Sequence, residues 1–409
     1  MNTPTPAPTS AGMPDRMDPL CISAFTACSA IGRGSAATLS ALRSRAGGLR
    51  TNDFGEAPVP TFIGRVDGIE ATPLPDKLGH FDCRNNRLAW LTLGQDGFRD
   101  TVDTAKHRYG VSRVAVVLGT STSSIGATEE GYRRADADGC FPADLRHEEL
   151  HTPHATANFV QQALGLTGVC VTIATACSSS AKAFAQAARL LQQDVADAVV
   201  VGGVDSLCGS VLFGFHSLQL VSDAPCRPFD IARSGINIGE AGGFALLERE
   251  GRGPSLLGYG ESSDAHHMSS PHPQGLGARR ALAEALARGG LAPEQVDYIN
   301  LHGTASLKND EVEAKVIADT FPERVHASST KGWTGHTLGA AGILESVITL
   351  LALEHGLAPG TLNTRTLDPA CGPQVRVNNT EGPLQHGLNL SFGFGGSNCV
   401  LLFGRAGVP

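Results

Sequence analysis

Short apolar runs that break off at a Gly, Ser, Thr or His turn and pass straight into an Ala/Leu-rich stretch recur along this chain. They constrain its fold more than any other feature. Residues 114–118 (VAVVL) enter the turn 119–124, and 169–174 (VCVTIA) lead to Cys177 and then to 178–193, where Ala, Phe and Leu recur at helical spacing. Residues 198–201 and 244–247 read as two further strands. A polar seam at 248–254 follows, and then the same style resumes. A strand begins at 256–257, a helix covers 277–288, and a strand at 296–301 feeds His302. Another at 327–329 feeds the turn 331–336, a strongly apolar helix spans 339–354, and strands at 388–392 and 399–403 close the chain. Alternation of this kind predicts a layered α/β architecture. The chain has 409 residues, so one large α/β domain or two fused halves is expected. No short-period repeat is visible by eye, and a distant duplication would not be.

Charge and composition remove several classes of function. The formal net charge is −8, the sequence pI is about 5.9 and no Lys/Arg run stands out, so nothing attracts nucleic acid or an anionic membrane. No apolar stretch reads as long enough to span a bilayer. The N-terminus, MNTPTPAPTSAGMPDRMDP, lacks an apolar core, so it reads as a disordered tail over 1–17 rather than a secretory signal. The 10 cysteines are scattered without a C-x-x-C pair, which predicts free thiols in a reducing cytoplasm. His266, His267 and His272 cluster in sequence, but no Cys or carboxylate stands at ligand spacing, so no metal site is expected.

Four segments carry chemistry. In 174–180 (ATACSSS) an apolar strand stops at Cys177 and an Ala-rich helix begins. A thiol there faces the unpaired N–H groups and positive dipole end of the helix, which favour thiolate. An unassisted thiol titrates at about 8.5 and is only a few per cent nucleophilic at neutral pH. The same N–H groups can hold an oxyanion. On this segment alone, a small buried Cys before a helix fits equally well. Segments 300–306 (NLHGTAS) and 328–336 (SSTKGWTGH) each end a strand in a Gly/Thr turn bearing His302 or His336, the second with Lys331. A single His at a strand end is usually structural, but two beside a Lys at strand C-termini point to a ligand site. In 389–398 (NLSFGFGGSN) alternating Gly and Phe let a backbone N–H approach a reacting carbonyl, with Phe394 as a movable wall. As a phosphate cradle it fails, having neither G-x-G-x-x-G nor a closing Lys-Ser/Thr.

Together with RPFD at 227–230 and GINIGEAGG at 235–243, these segments resemble the elongating β-ketoacyl-acyl-carrier-protein synthases. HGTASLKNDEVE from His302 and KGWTGHTLGAAGILE from Lys331 extend the match, and all six motifs occur in the family's order. The resemblance implies a duplicated thiolase fold, a five-layered αβαβα sandwich. Its first half, 18–252, would carry the nucleophile, and its second, 253–409, the histidines. It implies a decarboxylative condensation in which Cys177 holds the acyl group and malonyl-carrier protein supplies the enolate. His302 and His336 would hold the enolate oxygen, supported by the Lys331 and Glu345 pair and by Asp310 and Glu313. Thr304, Ser306 and Ser269 would line the pantetheine arm. The N–H groups of Cys177 and Phe394 would form the oxyanion hole, with Phe394 as gate. No cofactor is implied beyond the phosphopantetheine arm of acyl-carrier protein. That protein is the expected partner, beside a homodimer or a heterodimer with a related ketosynthase-like subunit. Arg133, Arg134 and Arg146 are candidates, by position only, for a basic rim that receives the acidic carrier.

The chain also departs from the family pattern. Residues 21–32 match the usual opening strand poorly, and 81–93 (FDCRNNRLAWLTL) are unlike typical fatty-acid enzymes. Ser306-Leu307 replaces the common Thr-Pro. Thr122 falls where some members close the acyl pocket at the dimer interface with a bulky aliphatic residue. These departures resemble the synthases of aryl-polyene and related type II polyketide clusters. A thiolase would need a second reactive Cys, and Cys399 lies inside an apolar run. An initiating synthase would carry Asn in place of one His. A chain-length-factor-like partner subunit would lack the Cys.

Overall fold

Strands covered on both faces are largely apolar. Val114–Gly119 and Ala198–Asp205 are buried at every residue. The computed structural model describes residues 14–56 and 58–407. In the first part of the chain, β1 (Leu20–Ser29), β2 (Val114–Gly119), β3 (Cys170–Ile173), β4 (Ala198–Asp205) and β5 (Ala241–Glu248) form a sheet in the order β3-β2-β4-β5-β1. In the second part, β6 (Ser255–Ser263), β7 (Tyr298–Asn300), β8 (His326–Ser328), β9 (His386–Phe392) and β10 (Ser397–Gly404) follow the order β8-β7-β9-β10-β6. Numbered by their own succession, both sheets have the same order. They also share strand directions: the first three strands in each order are parallel and the last two join antiparallel. The duplication that no sequence repeat betrays is plain in the topology. The sheets meet edge to edge where β1 pairs with β6 at Leu20↔Leu256 and Cys21↔Ser255.

Side chains of β2 alternate between two cores, as the two-residue period of a strand requires. Val114, Val116 and Leu118 pack with α1 (Arg84–Leu93), α2 (Phe98–Tyr109) and α3 (Ala155–Leu164) on one face. Ala115 and Val117 turn the other way, onto α4 (Ser179–Gln192). In the second sheet, Leu388, Leu390 and Leu402 face α5 (Leu276–Gly289) and α6 (Leu307–Thr320). Leu401 and Phe403 face the shared middle layer, where α7 (Ala341–His355) joins α4. Helix, sheet, helix, sheet, helix: this is the expected five-layered α/β sandwich.

Three sequence expectations need adjustment. Residues 338–355 do pass as long and apolar enough to cross a membrane, with mean hydropathy 1.4, but 89% of the stretch is buried between the sheets, so it is a core helix. The poorly matched opening segment forms β1, the strand at the joint. Residues 1–13 of the expected tail lie outside the described residues, whereas Met17 is buried in the middle core and donates its N–H to Arg288 O at 2.8 Å.

Gly119, at the end of β2, shows how closely α4 sits on the sheet. A Cβ there would lie 2.2 Å from the Ser180 nitrogen, in the first turn after Cys177. Gly119→Ala is expected to cost about 1–3 kcal/mol by overpacking, read as a lowered thermal unfolding midpoint. A midpoint equal to wild type would show that the helix has room to move.

Candidate active site

Each functional side chain sits just past the C-terminal end of a strand, where open α/β sheets bind ligands. Cys177 follows β3 by an elbow in which Ala176 takes a left-handed φ of 52°, a conformation that costs a residue with a Cβ. The Ser179 hydroxyl holds the elbow: it donates to Ala176 O at 2.5 Å and accepts the Thr175 N–H at 2.9 Å. His302 follows β7, Lys331 and His336 follow β8, and Phe394 follows β9. Gly393 is required here because a Cβ would lie 2.8 Å from Thr175 O, so the Phe394 turn rests directly on the Cys177 elbow.

The sequence-predicted trio is assembled. Cys177 Sγ lies 3.0 Å from His336 Nε2, and one nitrogen of each imidazole lies within 4.8 Å of the sulfur and of the other ring. The rings cross nearly edge-on, with centroids 5.5 Å apart at 87°. All three side chains are buried. A Cys and two His at this spacing also have the composition of a soft-metal set, although the Lys331 charge acting on all three opposes a cation. No other group of three such side chains is as close among the described residues.

Protonation differs from the expectation of a thiolate at a helix N-terminus. Burial pushes the Cys177 thiol up to about 11, against the Lys331 charge and the N–H groups of Phe394 and Cys177 itself. Desolvation outweighs the help the elbow offers. Both imidazoles are held well below their ordinary value, first by burial and then by Lys331, so both are neutral. The Phe394 and Cys177 N–H groups face the sulfur.

The acidic residues act on backbone rather than on the pocket. Glu313 accepts the N–H groups of His302 at 2.7 Å and Gly303 at 2.8 Å, clamping the turn that carries the imidazole. Burial pushes its carboxyl up to about 8. Asp310 accepts the Phe229 N–H at 2.8 Å, with its carboxyl raised by burial to about 6. Lys331 pairs with Glu345 of α7, both buried, and burial lifts the Glu345 carboxyl to about 7 despite the Lys331 charge.

Thr304, Ser306 and Ser269 line the pocket above Cys177, and the Thr304 and Ser306 hydroxyls are 2.9 Å apart. Apolar walls that sequence alone did not single out come from Phe215, Leu220, Ile236 and Met268. The Phe394 ring is 5.7 Å from that of Phe215. Asn309 and Asn398 also face the space, with no pattern in the sequence to mark them. Thr122 is not brought into this pocket. It lines a neighbouring cavity with Ser121, Ile125 and His151, and its hydroxyl donates to Asp205 at 2.6 Å. The candidate basic rim is neutralised. Arg133 pairs with Glu130 at 2.7 Å, Arg134 with Asp144 at 2.9 Å, and Arg146 with Asp136 at 3.9 Å. His266 and His267 instead line a cavity with Lys308 and Glu311 that shares Ser270 and Pro271 with the Cys177 pocket.

Because the thiol is raised to about 11, alkylation of Cys177 by iodoacetamide should climb about tenfold per pH unit above neutrality, in step with thiolate. Lys331→Met, which removes the charge that favours thiolate, should slow it. Peptide mass spectrometry reads the site, and a rate flat between neutral and alkaline pH would contradict a thiol that burial keeps protonated.

Known proteins are similar to this chain in sequence and in fold. Residues 85–252 match the family described as beta-ketoacyl synthase, N-terminal domain, and residues 255–365 match beta-ketoacyl synthase, C-terminal domain. A 3-oxoacyl-[acyl-carrier-protein] synthase 2 of Coxiella burnetii is 32% identical over 369 residues, covering 85% of each chain. The mitochondrial 3-oxoacyl-[acyl-carrier-protein] synthase of Arabidopsis thaliana is 39% identical over 252 residues, 56% of this chain and about half (55%) of that protein. In structure, a chain of the Xenorhabdus doucetiae complex between the ketosynthase ApeO and its chain length factor ApeC superposes with a TM-score of 0.88. The two are 36% identical over 95% of this chain and 98% of that one. The chain belongs to the β-ketoacyl synthase family of acyltransferases, on the duplicated thiolase-like fold.

Proposed function

We propose that this protein is a β-ketoacyl-[acyl-carrier-protein] synthase that condenses an acyl thioester on Cys177 with malonyl-carrier protein. One observation carries the reading: Sγ and a nitrogen from each of two neutral imidazoles converge within 4.8 Å at the foot of a pocket. In loading, His336 Nε2, 3.0 Å from Sγ, takes the thiol proton as sulfur attacks the incoming thioester. The N–H groups of Cys177 and Phe394 hold the oxyanion, and the departing pantetheine thiol leaves with the proton. In condensation, His336 carries its proton on Nε2, the tautomer opposite to the one that takes the thiol proton, and ring N–H donors of His302 and His336 hold the malonyl thioester oxygen while the carboxylate departs as CO₂. The resulting enolate attacks the acyl-Cys177 carbonyl. The C–S bond breaks, and the Cys177 thiolate takes up a proton from solvent.

Thr304, Ser306 and Ser269 present hydroxyls along the pocket, suited to the amides of a phosphopantetheine arm. That arm, carried by acyl-carrier protein, brings the substrates, and no separate cofactor enters the scheme. The gap between the family matches, which stop at 252 and resume at 255, supports a division into halves 18–252 and 253–409. The likeness to a chain of a ketosynthase–chain length factor complex, with Ser306-Leu307 in place of Thr-Pro, supports a polyketide or aryl-polyene pathway. It also supports pairing with a second ketosynthase-like subunit or with itself. A non-catalytic partner subunit has the assembled Cys177, His302 and His336 against it.

Cys177→Ala should abolish condensation while some malonyl decarboxylation survives, because the imidazole pair remains. His302→Ala should lower both by about 10²–10³-fold, the usual cost of an oxyanion donor. Decarboxylation and condensation assays on malonyl-carrier protein separate the two, and unchanged decarboxylation in the His302 variant refutes its role. Mass spectrometry of the acyl group trapped on Cys177 in native cells decides the pathway. Saturated long chains alone would exclude the aryl-polyene assignment.

A further inference from the structure

Asp205, the last residue of β4, has a fully buried carboxylate that neither loading nor condensation uses. Its Oδ1 accepts the hydroxyls of Thr120 at 2.7 Å and Thr122 at 2.6 Å, and the N–H groups of Thr122 at 2.7 Å and Ser121 at 2.9 Å. Its Oδ2 accepts Ser121 N–H and Ala340 N–H, each at 3.0 Å. Among the described residues no cation pairs with it, so these donors alone balance the charge. They come from two places: the loop 120–122 after β2, and the turn that runs from His336 into α7. Gly339 keeps the two in contact, because a Cβ there would lie 2.6 Å from Ser121 N and 2.7 Å from Asp205 Oδ2. The front of the same turn is held by the His336 N–H, which donates to Asn237 O at 2.7 Å. His336 is thus fixed on one side by main chain and on the other through Asp205.

We propose that Asp205 is a positioning residue that couples the Thr122 wall to the His336 turn, so that an acyl chain filling the cavity behind Thr122 sets the placement of the imidazole over Cys177. This rests on the ketosynthase reading and on the acyl chain entering the cavity lined by Thr122 and Ala174, which is separate from the pocket above Cys177. The coupling is mechanical and local. Oδ1 holds the wall and Oδ2 holds the turn, and an N–H to carboxylate bond is stronger than a neutral one. A chain that displaces Thr122 rotates a carboxylate whose other oxygen is bonded to Ala340. Packed interfaces of this kind shift between discrete arrangements rather than deform smoothly.

Asp205→Asn tests the link. With its amide oxygen at the wall, its NH₂ opposes the Ala340 and Ser121 N–H groups, so the tie to the His336 turn breaks while the Thr122 bonds remain. The readouts are single-turnover condensation from Cys177 loaded with acyl groups of graded length, and the thermal midpoint. Expected are a condensation rate about tenfold lower or more, a flattened dependence on acyl length, and partial recovery in Asp205→Glu. Thr122→Val should flatten the same dependence, and the double variant should add little. A length profile like wild type in Asp205→Asn, or additive effects in the double variant, overturns the proposal and leaves Asp205 structural. Should Asp205→Asn fail to fold, Thr122→Val decides alone: an unchanged condensation rate at every length overturns it. Cys177→Ala is run in parallel. Condensation surviving in that variant defeats the ketosynthase reading itself, whatever Asp205 does.

Discussion

Burial sets the charge state of the site, and one buried ion pair, Lys331 with Glu345, supplies the charge that acts on all three of its reacting groups. Lys331 is the nearby cation that draws the Cys177 thiol down against burial, and it presses both imidazoles further toward neutrality. A lone ammonium at that depth would not be tolerated. Glu345 makes it possible, and removing one partner of such a pair leaves the other uncompensated at a cost of about 3–5 kcal/mol. The pair also joins two elements, the turn after β8 and the first turns of α7. Charge and geometry of the site are therefore fixed by the same contact. A neutral imidazole keeps one ring N–H that it can donate to an oxygen.

The duplicated topology explains why Cys177, His302 and His336 can meet although they lie far apart in sequence. Each half repeats one sheet, and each sheet delivers loops from the C-terminal ends of its parallel strands. The first half contributes one such loop, the Cys177 elbow. The second contributes three, carrying His302, His336 and Phe394. Equivalent positions in the two halves have thus been put to different uses: β3 ends in the thiol, while its counterpart β8 ends in the Lys331–His336 turn.

Much of this was legible from the chain. The elbow, the two His turns and the Gly-Phe turn are local patterns, and local backbone requirements write them into short segments. What sequence could not supply were balances and distant partners. The Cys177 thiol was expected to favour thiolate, but its depth, set by residues from both halves, reverses that. Thr122 was assigned to the acyl pocket by position, and its hydrogen bond to Asp205 crosses 83 residues. Asp205 passed unnoticed, although a lone carboxylate closing the apolar run AVVVGGV is itself a signal that buried donors await it. The three arginines offered for docking were judged as isolated charges, and each has an acidic neighbour.

The middle layer has a consequence for how the protein holds together. Helices α4 and α7 belong to different halves, yet they share one core with residues from both sheets. Neither half can open without stripping apolar cover from the other. The two halves are repeats in topology, but in thermodynamic terms they form one cooperative unit. A destabilising change near β6 or α5 is therefore felt at the Cys177 elbow on the opposite sheet, and a half expressed by itself would present its inner face to water.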